Sequence, residues 1–177
     1  TGGRRYSFYC VGQLNLFKGC HTTEGRHDYV TSSRVCGPNV FTQCTAEQTY
    51  ADIGPHHRWA MGTLYDQIET DGEINVQDRD NMGSGHGWSG ANQVFWNCKG
   101  SASICQSPWV SAKNYNFGFQ GDMLPGFRND RPQGVWVGHN QPGIFPASLY
   151  EAQLDQRLNN TIVFSANSVL ESLDDST

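Results

Sequence analysis

The sequence predicts an all-β chain coiled into a parallel solenoid, and three features predict it. The phrase histidine, any residue, aromatic is written three times, at His27-Asp28-Tyr29, His57-Arg58-Trp59 and His86-Gly87-Trp88, at spacings of 30 and 29 residues. A near-constant period of that size marks a stacked repeat architecture. A second echo runs beside it. Leu16-Phe17-Lys18-Gly19-Cys20, Val40-Phe41-Thr42-Gln43-Cys44 and Val94-Phe95-Trp96-Asn97-Cys98 share the order aliphatic, aromatic, two variable residues, cysteine, and Leu64-Tyr65-Asp66-Gln67-Ile68 fits the same slot. The third feature is composition. Twenty glycines and only 16 % charged residues suit turn-rich β structure better than a helical bundle.

Thr1 to Gly25 holds two apolar bursts, Tyr6–Cys10 and Leu14–Phe17, punctuated by Gly12 and Gly19, which read as short strands. No capping segment precedes them. An uncapped solenoid end exposes strand edges, so further coils before Thr1, or a partner chain, are expected there. Arg26 to Gln106 carries the repeats. Alternation along a strand would put the aliphatic residue, the third residue and the cysteine of each echo on one face, with the aromatic on the other. Gly37-Pro38 and Gly54-Pro55 mark turns. From about residue 107 to Phe145 the chain is rich in Gly, Asn and Pro, and long irregular loops packed on the coils are expected, so that 1–145 forms the solenoid. Pro146 to Leu158 is the one clear helix, opened by the capping box Ser148-Leu149-Tyr150-Glu151 and expected to cover the last coil. Residues 159–177 read as a tail or linker.

A formal net charge of −5 and a pI of about 5.6 argue against the basic footprint a nucleic-acid partner needs. No run of 18 apolar residues exists to span a membrane. Six cysteines, Cys10, Cys20, Cys36, Cys44, Cys98 and Cys105, permit three disulfides of undetermined pairing, or a ladder of buried free thiols. Asn159-Asn160-Thr161 is a glycosylation acceptor sequence. Together these favour a secreted or cell-surface location.

Within a strand, residues two apart point the same way, so each phrase would place an imidazole beside an aromatic ring, building a His column and an aromatic column on successive coils. His27, His57 and His86 with Arg58 are the candidate catalytic residues. Arg26, Asp28, Tyr29, His56, Trp59 and Trp88 are the candidate substrate contacts. The bland alternative is a structural ladder of polar and aromatic side chains satisfying one another. Against it, Arg26, Asp28 and Arg58 would be costly in a solenoid core, and glycines at 54, 85, 87 and 90 keep the surface low for a ligand.

Gly25-Arg26-His27-Asp28, Gly37-Pro38-Asn39-Val40-Phe41, Gly54-Pro55-His56-His57-Arg58-Trp59-Ala60, Gly85-His86-Gly87-Trp88 and the closing Pro146-Ala147-Ser148-Leu149-Tyr150 resemble the pectate-lyase-like superfamily of secreted proteins. The resemblance spans roughly residues 1 to 158. It implies a right-handed parallel β-helix of which this chain is the C-terminal part. It also implies a polysaccharide partner, and calcium in many of the superfamily's lyases. Asp71, Glu73, Asp78 and Asp80 would offer oxygen ligands, although their spacing is not the twelve-residue calcium loop.

Elimination on an acidic polysaccharide needs a cation on the uronate carboxylate, a base for the adjacent proton and an acid for the leaving oxygen. Arg58 or Arg26 suits the first task, His57 or His27 the second, and His86, Tyr29 or Tyr65 the third, with Asp28 orienting a histidine and Trp59 and Trp88 offering faces to sugar rings. Glycoside hydrolysis ranks lower, because it needs two flanking carboxyl groups and none of Asp28, Asp52, Asp66, Asp78 or Asp80 is paired by a motif. A metal shared by the three phrases is disfavoured because the outer pair would lie roughly 10 Å apart at the coil spacing. The rival reading is a non-catalytic structural or glycan-binding protein, a filament or matrix component on the same scaffold.

Overall fold

Every coil turns a corner at one left-handed residue, and that residue decides which side chains face inward. The computed structural model describes residues 5–109 and 112–159. The main sheet stacks six parallel strands in the order Leu16–Lys18, Asn39–Thr42, Thr63–Asp66, Val94–Trp96, Tyr115–Phe117 and Val135–Val137. Two residues beyond the central position of each strand sits a residue of positive φ: Gly19 (65°), Gln43 (54°), Gln67 (54°), Asn97 (48°), Gly118 (70°) and Gly138 (68°). The left-handed kink breaks the two-residue alternation. The aromatic before it and the residue after it therefore both point inward, contrary to the alternation expected from sequence, and the aliphatic residues of the echo lie on the outer face. Phe17, Phe41, Tyr65 and Phe95 form one interior column, with ring centroids 4.7, 5.3 and 5.2 Å apart. Cys44, Ile68, Cys98 and Phe119 follow the corner and are fully or almost fully buried.

A second sheet runs beyond the corner through His21–Thr23, Thr45–Glu47, Glu69–Thr70 and Lys99–Cys105, with Glu73–Val76 and Gln120–Met123 also paired to the last. Tyr9–Cys10, Val30–Thr31 and Gly54–Pro55 form a third, and Ala60–Met61 pairs with Gly90–Ala91. All pairings between these strands are parallel. The molecule is a parallel β-solenoid of about five turns.

Register gives the true repeat. Leu16 pairs with Val40 and Val40 with Leu64, a 24-residue coil, but Leu64 pairs with Val94, a coil six residues longer. The surplus leaves the wall as an excursion closed by Arg79 N–H to Gly87 O (2.8 Å), Gly87 N–H to Asp80 O (2.9 Å) and an antiparallel bridge between Asp78 and Trp88.

The stretch after residue 107 does not leave the solenoid. Tyr115–Phe117 and Val135–Val137 continue the main sheet in register. Their continuity is hidden in the sequence because the inward slot holds Asn116, wholly buried and donating to Ser103 Oγ at 2.9 Å, where an aromatic was the rule.

The helix Leu149–Asn159 lies on the flank of the main sheet, not across the last coil. Its anchor is Asp66, an outward residue sealed by the docked segment. The Asp66 carboxylate accepts hydrogen bonds from Thr42 Oγ1 (2.9 Å), Leu149 N–H (3.0 Å), Tyr150 N–H (3.4 Å) and Ser148 Oγ. Ser148 Oγ accepts from Glu151 N–H at 3.1 Å, as the capping box predicts. Glu151 itself bonds Lys18 at 2.5 Å.

All six cysteines are free thiols, and no pair lies at bonding distance, which corrects the disulfide expectation for Cys10, Cys20, Cys36, Cys44, Cys98 and Cys105. Cys44 donates to Thr42 O at 3.2 Å and Cys98 to Tyr65 O at 3.2 Å, so their thiols serve the stack. Burial pushes the Cys44 thiol up to about 11 and that of Cys98 up to about 12, far from reactivity. Of the acceptor sequence, Asn159 is exposed at the helix end, while Asn160 and Thr161 lie outside the described residues, as do Thr1 and the tail beyond 159.

Asp66→Ala removes a shared acceptor from the N-terminus of the helix. It is expected to lower stability by about 2 kcal/mol and to open Arg157 to trypsin before the coils unfold. Unchanged proteolysis at Arg157 would contradict this docking.

Candidate functional site

Four of the six histidines meet at one cleft on the solenoid flank, and they reach it from three different coils. The strand Gly54–Pro55 ends before His56, whose amide bonds Thr31 O at 3.0 Å. His27 precedes Val30–Thr31, and its ring stacks on Tyr6 with centroids 5.3 Å apart and planes 19° apart. His86 comes from the excursion of the long coil. There Gly83 (φ 56°) is required twice over, by its left-handed backbone and because a Cβ would sit 2.2 Å from His86 Cε1.

His56 is the hub. Its ring centroid lies 4.6 Å from His27, 4.9 Å from His86, 5.2 Å from His57 and 5.4 Å from Tyr6. Its Nε2 is 3.3 Å from His86 Nε2 and 3.4 Å from the Tyr6 hydroxyl. Behind it His27 Nδ1 faces Asp52, 3.3 Å from Oδ1 and 3.2 Å from the carbonyl oxygen. Asp52 is ion-paired to Arg79, which also donates to Asn75 Oδ1 at 2.9 Å. The cleft is about 870 Å³, and Tyr9, Arg26, Met82 and Ser84 complete its wall beside Gly83.

The electrostatics favour neutral imidazoles. Burial pulls His56 down to about 3, and the positive charge of Arg79 adds to it. Burial also lowers His57, helped by His86, and lowers His86, helped by Arg79 and Arg58. Burial alone would raise Asp52, but Arg79 and then His27 outweigh it and hold the carboxyl well below its usual range. Three rings are thus uncharged at neutral pH, and the Nδ1 atoms of His56, His57 and His86 are buried without a protein partner. Buried polar atoms ordinarily have one. The cleft is therefore walled by uncharged imidazoles, with the Arg79–Asp52 charge pair set beside them.

The structure gathers His27, His56, His57, His86 and Arg26, as expected, but not as a column of equivalent rings. His27 precedes Val30 by three residues, whereas His57 follows Gly54, the partner of Val30, by three. The 30-residue spacing from His27 to His57 is thus not the register there, where coils repeat every 24 residues, whereas the spacing from His57 to His86 runs close to the 30-residue register of Ala60 with Gly90. His56, which strict alternation would turn away from His57, joins it because both lie past the strand end.

Other expected contacts are corrected. Tyr29 is wholly interior, its hydroxyl donating to Cys20 O (3.0 Å) and Thr45 O (2.7 Å), and Tyr65 is equally buried in the ring column. Neither reaches a ligand. Asp28 is buried and accepts from Ser7, so the carboxylate facing a histidine is Asp52. Arg58 spends its guanidinium on Ser84, with bonds of 2.9 Å to the carbonyl and 2.8 Å to Oγ, and so clamps the excursion. Trp59 and Trp88 lie near each other, 6.4 Å apart, outside the cleft wall. Tyr6, Asp52 and Arg79 were missed as site residues. None shares a repeat with the histidine phrases, and only proximity in space identifies them.

Calcium does not fit the acidic stretch. Asp71 caps a turn by accepting from Gln48 N–H (2.6 Å) and Thr49 N–H (3.1 Å). Glu73 accepts from Asn75, Asp78 pairs with Arg131, and Asp80 pairs with Arg128. No group of three His, Cys, Asp or Glu side chains among the described residues is arranged to hold a metal ion. Among the described residues no helix is long and apolar enough to cross a membrane.

Against known proteins the chain matches no family model, no curated protein and no solved structure.

A histidine held neutral in the fold takes up its proton first in the unfolded chain, near pH 6.5. His56 therefore destabilises the fold increasingly as pH drops from about 6.5 towards 3. Urea midpoints measured across that window should fall less steeply for His56→Gln than for the parent chain. Parallel slopes would show that His56 is not held neutral.

Proposed function

We propose that the histidine cleft binds an acidic polysaccharide outside the cell and cleaves it by β-elimination. The observation that carries the reading is the set of three uncharged imidazoles, His56, His57 and His86, lining one open cleft that Arg26 also lines. Elimination needs a neutral base beside a cation, and the cleft supplies both types. A neutral imidazole of His57 takes the proton next to the uronate carboxylate. The electron pair left behind forms the new carbon–carbon double bond, and the glycosidic carbon–oxygen bond breaks. The leaving oxygen takes a proton from the Tyr6–His56–His86 group, whose hydrogen-bonding atoms lie 3.3 to 3.4 Å apart. Arg26, which lines the cleft, neutralises the carboxylate. Among the described residues Asp52 is the one carboxylate in the cleft wall, so two-carboxylate hydrolysis finds no second member among them.

One observation favours the rival, a glycan binder without turnover. Burial and Arg79 depress the hub imidazole so far that it is a weak base, and a cleft of neutral donors and acceptors also suits simple binding. The superfamily resemblance supports both readings equally, because one fold hosts many activities.

The test is incubation of the protein with polygalacturonate, alginate and chondroitin, following the ultraviolet absorbance of the new double bond. His57→Ala should lower kcat/KM by about 10²- to 10⁴-fold with thermal melting unchanged. Equal turnover by both proteins would remove His57 from the mechanism. Absence of the chromophore with every polymer would leave the binding reading.

A further inference from the structure

Beyond the cleft, across the loop that Arg58 clamps, three tryptophans stand in a row on the surface. Trp59 and Trp88 have ring centroids 6.4 Å apart with planes 44° apart, and Trp88 and Trp109 6.0 Å apart with planes 84° apart, so the row turns its faces from ring to ring. Trp59 is 40 % exposed and Trp109 63 %. Contiguous exposure of the largest apolar side chains is uncommon on a chain whose surface needs no partner, and marks a binding surface.

The backbone places this row by unusual means. Arg58 and Trp59 are consecutive non-glycine residues with φ of 52° and 59°. Bulky residues seldom adopt that conformation, and such strain gathers at functional sites. Here it turns Arg58 onto Ser84 and Trp59 outward on the same stroke. Trp59 N–H bonds Trp88 O at 2.8 Å, so the two rings are carried on adjacent coils. Trp109 is held from one side by Arg131, whose guanidinium carbon lies 4.5 Å from its ring centroid. Arg131 is fixed in turn by Asp78 at 2.7 Å, and Asp78 also bridges the backbone of Trp88. Asp78 thus links both rings, to Trp109 through its carboxylate and Arg131 and to Trp88 through its backbone. A platform so rigid binds with little ordering cost.

We infer that Trp59, Trp88 and Trp109 form a sugar-stacking platform that receives the pyranose rings of a polysaccharide chain as it leaves the histidine cleft. The apolar CH faces of pyranose rings suit flat indoles, the row is one ring wide, and it is continuous in sequence with the cleft through His57-Arg58-Trp59. The identity of the ligand rests on the proposed polysaccharide reading, but the test reads binding, not cleavage.

The parent chain, Trp59→Ala, Trp109→Ala and Trp109→Phe are run through native gels containing polygalacturonate, alginate or chondroitin, and their melting temperatures are measured. Each alanine variant should bind the retarding polymer about three- to tenfold more weakly. Trp109→Phe should retain most of the affinity, and melting temperatures should be unchanged in all three variants. Retardation that ignores both alanine substitutions overturns the platform while leaving the cleft reading intact. Retardation that depends on the tryptophans, with no double bond formed from any polymer, upholds the platform and removes the elimination. A parent chain retarded by no polymer, or one whose tryptophan row instead mediates concentration-dependent self-association, overturns the inference.

Discussion

The in-register stacking of coils through a left-handed corner is the constraint on which the rest of this structure depends. Each corner residue, from Gly19 to Gly138, breaks the strand alternation once and so commits both the preceding aromatic and the following residue to the interior. Phe41, Tyr65 and Phe95 then stack on Phe17, and buried thiols fill the slots beside them. A core assembled this way tolerates no change in the number of residues lying within the register. The six surplus residues of the coil between Leu64 and Val94 can only leave the wall, and they leave it as the excursion that carries His86. The site is thus a consequence of the longest coil in a ladder whose successive strands lie 24, 24, 30, 21 and 20 residues apart.

The electrostatics of the cleft follow from the same placement. Arg79 stands at the root of the excursion and points inward to Asp52, so a full charge pair is set behind the imidazoles, not among them. Burial first and Arg79 after it depress His56 and His86, against the opposing pull of Asp52, and leave the cleft lined with uncharged imidazoles. Arg58 performs a different task on the outer side, tying Ser84 to the wall. Two arginines close together in the fold therefore divide the work, one tuning the rings and the other holding the loop that supplies one of them.

Much of this was legible in the sequence, and what was not has a physical cause. The Val40-Phe41-Thr42-Gln43-Cys44 echo revealed the solenoid, because side chains that stack must resemble one another. The same echo carried the 24-residue register of the first coils, which the histidine phrases concealed because their 30 belongs only to the coil between Leu64 and Val94. Facing was misread at Cys44 because alternation holds only until a left-handed residue interrupts it, and at His56 because the strand ends at Pro55. The sheet beyond residue 107 went unseen because a hydrogen-bonded Asn116 takes the aromatic slot. Tyr6 and Arg79 carried no signal at all. Their place in the site comes from coils folding onto one another, which no local pattern encodes.

The claim at the centre of this account is that four imidazoles on three coils act as one ligand-facing group. Imidazole nitrogen resonances of the labelled chain, recorded while a uronate hexasaccharide is added, test it directly. His27, His56, His57 and His86 should shift along a common binding curve while His21 and His139 stay still. Resonances that remain fixed, or a response confined to His21 and His139, would contradict it.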